Sequence, residues 1–147
     1  MDTYKTLNDA LVNLFRDVMT LEEGAIITQD FQNITNNDMH VIQAIGLDEP
    51  KNMTTIARLL SVTVGTLTIA MNSLVKKGYV TRERGKEDRR VVYISLSEKG
   101  RRAYEHHEEF HHRMIDAVLE DLTQEETESL VKALAKLNKW FRKAQDN

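Results

Sequence analysis

The 147-residue sequence contains no cysteine and only one proline, Pro50. The lack of cysteine excludes disulfides, thiolate metal ligands and thiol nucleophiles. No apolar run approaches the roughly 18 residues that a membrane-spanning helix needs. The N-terminal stretch MDTYKTLNDA is polar from its second residue, unlike a signal peptide. We therefore expect a soluble protein of the cytoplasm that has no membrane partner.

Sequence signatures of catalysis are also missing. The chain has no Gly-rich phosphate loop, no HExxH motif and no recognisable Ser-His-Asp set. A hydrolase built on its histidines and glutamates would need a metal and a cleft. We therefore expect a protein that is not an enzyme, with no catalytic residues and no required cofactor.

Charge is unevenly distributed along the chain. The formal net charge is −3, yet residues 76–102 contain ten Lys and Arg against four Asp and Glu. This segment therefore carries +6, and the rest of the chain carries −9. A segregated basic segment favours a polyanionic partner over a solvated surface with interspersed signs, although chance variation on a polar surface is the alternative.

Apolar spacing and capping residues predict helices on both sides of this segment. The apolar positions of the first helix are Leu7, Leu11, Leu14, Val18 and Leu21, and those of the last helix are Leu130, Leu134, Leu137 and Phe141.

A second helix is expected to start at the cap Thr35, with Asp38 three residues later, and to end at Gly46. The pair Thr123 and Glu126 forms a capping box for the last helix, and Ser97 opens the helix before it.

Two further helices precede a two-stranded ribbon. Thr54 is the expected cap of the short helix TIARLLS, and Thr63 that of a helix ending at Gly78. Leu67, Met71 and Leu74 give this second helix a buried face. The ribbon is expected from Thr81 to Leu96, with a break at Gly85. The order predicts a mainly α fold with a small β-wing, namely a winged helix-turn-helix lobe.

In such a lobe, the helix after Thr63 would enter the major groove of DNA. Its outward residues are small or carry hydroxyl and amide groups that reach base edges and phosphates. Simple solvation of the same polar groups is the alternative. The candidate DNA-binding residues of this helix are Val64, Gly65, Thr66, Thr68, Ile69 and Asn72.

The wing supplies the second set of candidate DNA contacts. A flanking ribbon reaches the minor groove, whose negative potential attracts an inserted arginine. Asp88, two residues before Arg90, can hold the arginine extended by a charge-assisted hydrogen bond. Arg84, Lys86 and Arg89 are better placed for phosphates.

The motif DRRVVYISLSEKG resembles the wing of the MarR family of transcriptional regulators, and LVKKGYVTRER and LEDLTQEETESLVKALAKL resemble the segments before and after it. The resemblance covers essentially the whole chain. It implies a homodimer that binds an inverted-repeat operator in double-stranded DNA. Residues 1–33 and 98–147 would form the helical dimerisation region of this single domain, and residues 34–97 the DNA-binding lobe.

The stretches MHVIQAIG, VTVGTLTIAMNSL and HEEFHHRM are similar to the MarR-type repressors of fatty-acid biosynthesis genes in Gram-positive bacteria. That resemblance implies a corepressor, acyl carrier protein with a long acyl chain. The acyl chain would enter an apolar space between the dimer stalk and the lobe. Ordinary core packing is the alternative for its candidate lining residues, Phe15, Val18, Met19, Phe31, Met39 and Ile42.

The histidines give a competing hypothesis. In EHHEEFHHR, His107 and His111 lie four residues apart on one helical face, a spacing that can bind zinc. Zinc sensors of the MarR family imply His40, Glu22 and Glu23 as further ligands. A packed, hydrogen-bonded His107 is the alternative, with His106 and His112 exposed. A winged-helix protein-interaction module without DNA binding is an alternative of another class.

Overall fold

The computed structural model describes residues 2–26 and 31–146 of the chain. These residues form two compact units, which lie within the bounds Met1–Phe110 and His111–Asn147. Unit 1 begins with helix α1, Thr3–Ile26, followed by α2, Asn36–Ile45. A short strand β1, Lys51–Asn52, precedes α3, Met53–Leu60, and α4, Val64–Lys77. Strands β2, Val80–Arg84, and β3, Val92–Leu96, lead into α5, Glu98–Glu120, which continues into unit 2. Helix α6, Gln124–Gln145, lies in unit 2.

The predicted fold class is confirmed, with one correction to the sheet. The three strands are antiparallel in the order β1-β3-β2, so the ribbon has a third strand that the sequence did not predict. Lys51 pairs with Ile94 and Asn52 with Tyr93. A two-residue strand carries no alternating pattern, and its pairing partner lies more than 40 residues away in the sequence.

Side-chain caps fix several helix ends. Thr35 accepts a hydrogen bond from the Asp38 N–H at 3.0 Å, and the Asp38 carboxylate accepts one from the Thr35 N–H at 3.1 Å. The same reciprocal pair joins Thr123 and Glu126 at the start of α6. These predicted capping boxes are confirmed, because their geometry depends only on residues within one helical turn.

The predicted cap of α3 is wrong. Asn52 rather than Thr54 caps this helix, with its Oδ1 atom 2.8 Å from the Thr55 nitrogen. Asparagine and threonine are both good N-caps. Because Asn52 pairs with β3 in the sheet, its side chain lies over the free N–H groups at the start of α3.

The core of unit 1 lies between α2, α3, α4 and the sheet. The predicted buried face of α4 is confirmed, since Leu67, Met71 and Leu74 are at most 1% exposed. Gly78 ends this helix with φ of 88°, a left-handed conformation that glycine adopts without strain. The sharp turn lets Tyr79 and Val80 enter the core at once, and it sets β2 directly beside α4.

Among the described helices, none is by itself both long and apolar enough to cross a membrane. Helices α3 and α4 meet that criterion only as a pair, and they are bent by 105° at their junction.

Candidate nucleic-acid interface

The turn between α3 and α4 sets the position of α4, which we call the recognition helix because it is the helix predicted to enter the major groove. Ser61 takes a left-handed conformation with φ of 56°, which ends α3 sharply. Thr63 then caps α4 by accepting a hydrogen bond from the Thr66 N–H at 3.1 Å. With one face of α4 packed in the core, its opposite face is left at the surface of the lobe.

All six predicted DNA-binding residues of α4 are exposed: Val64, Gly65, Thr66, Thr68, Ile69 and Asn72. Ile69 is 76% exposed, although it is a large apolar residue. The Thr68 hydroxyl donates to the Val64 carbonyl at 2.8 Å, and the Thr66 and Thr63 hydroxyls lie 3.0 Å apart. The threonine hydroxyl groups are therefore oriented by the helix itself. Each of these hydroxyl oxygens also has lone pairs that can accept a hydrogen bond.

The wing loop is closed by backbone hydrogen bonds. The Gly85 N–H donates to the Val91 carbonyl at 2.8 Å, and the Val91 N–H donates to the Asp88 carbonyl at 3.2 Å. A Cβ atom at position 85 would lie 2.6 Å from the Asp88 oxygen, so the loop requires glycine there. The tight loop leaves four basic side chains exposed: Arg84, Lys86, Arg89 and Arg90.

Asp88 holds Arg90 in the way that its spacing predicts. The Arg90 Nε and Nη2 atoms each lie 3.1 Å from a different carboxylate oxygen of Asp88. The Arg90 N–H also donates to Asp88 at 3.0 Å. These hydrogen bonds from Arg90 hold the pKa of Asp88 below its ordinary value. The Arg90 side chain is nonetheless 91% exposed, so its direction is fixed while its charge stays accessible.

Arg82 makes a contact with α4 that the sequence did not predict. Its Nη1 atom donates to the Oδ1 atom of Asn72 at 2.6 Å, which links the wing to the recognition helix. Strand alternation gives the signal that could have revealed this contact, since Arg82 lies on the same strand face as the buried Val80.

The candidate ligand-pocket residues are not all brought together. Phe31, Met39 and Ile42 belong to the core cluster of unit 1, and Ile42 is fully buried. On α1, Phe15 is 69% exposed, whereas Val18 and Met19 are half-buried. The burial of Phe31, Met39 and Ile42 agrees with ordinary core packing. A ligand-lining role for the six residues stays a prediction.

Two of the candidate metal ligands lie close together in unit 1. A carboxylate oxygen of Glu22 and a ring nitrogen of His107 lie within 4.8 Å of each other. His107 is 3% exposed, and His111 follows one turn later along α5. Glu23 and His40 are exposed and are not in this group.

His106, expected to be exposed, is half-buried, with Nε2 3.1 Å from the Ala25 carbonyl oxygen.

A short helix, a tight turn, an exposed helix and a basic wing define a winged helix-turn-helix, and the protein is a DNA-binding transcriptional regulator of this type. The sequence model of the transcriptional regulator SarA/Rot family matches residues 25–107. The uncharacterised HTH-type transcriptional regulator YwhA of Bacillus subtilis is 31% identical over 89% of this chain and 91% of its own length.

Solved structures agree with this assignment. The crystal structure of Streptococcus pneumoniae FabT in complex with DNA has a TM-score of 0.91 and 32% identity, covering 96% of this chain and 99% of FabT. Staphylococcus aureus MarR in complex with salicylate and kanamycin has a TM-score of 0.77 over 95% of this chain and 93% of its own, and at 17% identity it shows the shared fold. The chain belongs to the MarR-type transcriptional regulators, in the group that the SarA/Rot model describes. Its relatives are regulators, and it is not an enzyme.

Proposed function

We propose that the protein is a homodimeric, sequence-specific repressor that places α4 in the major groove and the wing in the flanking minor groove. The observation that carries this proposal is the exposed Arg90 held by Asp88 at the wing tip. A narrow minor groove focuses negative potential on an arginine that is already extended toward it. The basic residues Arg84, Lys86 and Arg89 would contact phosphates on either side.

The exposed outer face of α4 supports base contact in the major groove. Gly65 has no side chain, so the backbone of α4 can lie close to the DNA. Val64 and Ile69 offer apolar surface for thymine methyl groups. Specific binding to duplex DNA that weakens as salt rises would test this, because neutralised phosphates release counterions. A protein-interaction module without DNA binding would show no such affinity.

The apolar surfaces of α1 and α6 support a homodimer. In unit 1, α1 leaves Leu7, Leu14 and Phe15 each more than half exposed. In unit 2, α6 has no buried residue, and its exposed apolar side chains are Leu130, Val131, Leu134, Leu137, Trp140 and Phe141. Large apolar side chains exposed in this number are normally covered by a partner. A second copy of the chain is the occupant that also creates a two-fold DNA reader.

A two-fold dimer should protect an inverted repeat with half-sites about 10 base pairs apart, centre to centre. Deletion of the residues after Thr123 should give a monomer in sedimentation analysis and abolish operator binding. A truncated monomer that binds the full operator with native affinity would contradict the dimer proposal.

For the regulated genes, we propose those of fatty-acid biosynthesis, with long-chain acyl-acyl carrier protein as corepressor. The similarity to FabT along nearly the whole chain supports this. The acyl-loaded carrier protein should raise operator affinity by at least about fivefold at constant salt. The unacylated carrier protein is the matched control. Equal affinity with both carrier forms would contradict the corepressor proposal.

Zinc is the second candidate effector, and the approach of Glu22 to His107 favours it. Imidazole and carboxylate groups are ordinary zinc ligands, and His111 adds a further imidazole one helical turn from His107. Zinc should then bind in calorimetry, and a chelator should change DNA affinity. The double change of His107 and His111 to Ala should abolish zinc binding, whereas His112→Ala, at an exposed neighbour, should not. Unchanged zinc binding in the double variant would contradict this site.

A further inference from the structure

The contact between Arg82 and Asn72 fixes which way the Asn72 amide points. A guanidinium group only donates hydrogen bonds, so the atom 2.6 Å from Arg82 Nη1 must be the Asn72 oxygen. The amide nitrogen of Asn72 then lies on the opposite branch. Both residues are exposed, and Asn72 shares the outward face of α4 with Thr68 and Ile69.

The direction of Arg82 follows from the sheet. Residues two apart in a strand share a face, so Arg82 leaves β2 on the side of the buried Val80. Its cross-strand partner on that face is Ile94, which is fully buried. The strand therefore directs Arg82 toward the lobe, where Asn72 follows the buried Met71 on α4.

This arrangement changes what Asn72 can recognise. A free asparagine reads adenine with two hydrogen bonds, accepting from N6 and donating to N7. With its oxygen engaged by Arg82, Asn72 presents mainly its two N–H donors, and Arg82 adds its remaining N–H groups. Guanine offers two acceptors, O6 and N7, in the major groove, whereas the N6 amino group of adenine would face these donors.

We propose that Arg82 is a positioning residue that makes Asn72 a donor, so that the pair selects guanine over adenine at one position of each half-site. This inference rests on the proposed function, because it requires the outer face of α4 to lie in the major groove. Arg82 lies on the wing strand β2. It therefore sets the base preference of a residue on a different element, Asn72 of α4.

The test uses the full-length protein and an operator selected from random duplexes. Each half-site base pair is replaced in turn, and dissociation constants are measured for the wild type, Asn72→Ala and Arg82→Met. Wild type should prefer G·C over A·T by at least about fivefold at one position. Asn72→Ala should lose preference at that position alone. Arg82→Met should shift it toward A·T, because the freed amide can pair with adenine.

Two further variants separate positioning from other roles of Arg82. Arg82→Lys keeps a donor beside the Asn72 oxygen, so it should keep the preference for guanine. Arg84→Met removes an exposed charge from the same strand, and it should weaken all operator variants alike. Circular dichroism confirms that each variant is folded before its base preferences are compared.

The possible failures are distinguishable. If Arg82→Met weakens all sequences equally without shifting preference, Arg82 is only a charge contact and the inference is overturned. If Asn72→Ala leaves every base preference intact while the operator is still bound, the inference is again overturned and the proposed repressor function stands. If wild type selects no duplex sequence, the proposed function fails and the inference fails with it.

Discussion

The Nζ atom of Lys77 lies 2.8 Å from the Oδ2 atom of Asp38, which ties the last turn of α4 to the first turn of α2. The Asp38 side chain is only 7% exposed, and the same oxygen accepts the Thr35 N–H of the capping box. One carboxylate therefore starts α2 and anchors the recognition helix.

Lys77→Met should destabilise the protein by about 1–3 kcal/mol, because it removes the charged donor and leaves the buried Asp38 oxygen under-satisfied. Lys76→Met is the matched control, since Lys76 is the exposed neighbour and should change stability little. Urea unfolding of both variants measures the difference. Equal stability of Lys77→Met and wild type would show that the ion pair does not anchor α4.

Gly100→Ala should also destabilise the protein, by about 1–3 kcal/mol. A Cβ atom at position 100 would collide with the carbonyl oxygen of Tyr79, which also accepts the Ser97 N–H at the start of α5. Gly24→Ala is the control, since an added Cβ there meets no described atom within 4 Å and alanine is the better helix former. Thermal unfolding should therefore shift in opposite directions for the two variants. A Gly100→Ala protein as stable as wild type would contradict this packing.

The Asp88 carboxyl should titrate below its ordinary value of 3.8, because the side-chain and backbone hydrogen bonds from Arg90 favour its charged form. The folded-state pKa is the lower one, so the contribution of this pair to stability is complete above the unfolded-state pKa. It is lost as pH falls through the folded-state pKa. Carboxyl-carbon NMR of Asp88 measures the titration. Arg90→Ala should raise this pKa toward the ordinary value, and Arg89→Ala should not. The reverse result would show that Arg89, and not Arg90, is the partner of Asp88.

Local signals in the sequence were sufficient for most helix ends. The capping boxes at Thr35 and Thr123 and the glycine cap at Gly78 each depend on contacts within one turn. The buried face of α4 followed from apolar spacing. The spacing of Asp88 and Arg90 likewise predicted a contact that the structure contains.

Features that depend on distant chain segments could not be predicted. Strand β1 exists because Lys51 and Asn52 pair with β3, and that pairing moves the α3 cap from Thr54 to Asn52. The bond from Arg82 to Asn72 requires the face of β2 to be known. Apolar residues at helical spacing form the same pattern in a core and in a ligand pocket. Spacing alone therefore could not assign Met39 to one or the other.

In the proposed complex, the wing places Arg90 in an A·T-rich minor groove. The direct measurement is the DNA affinity of wild type, Arg90→Ala and Arg89→Ala for operators with A·T-rich or G·C-rich flanks, at several salt concentrations. Arg90→Ala should cost about 1–3 kcal/mol of binding free energy, with the larger loss on A·T-rich flanks. Arg89→Ala should weaken both operators alike and reduce the salt slope by about one. If the loss in Arg90→Ala is independent of the flanks while the loss in Arg89→Ala depends on them, the two arginines have the opposite roles.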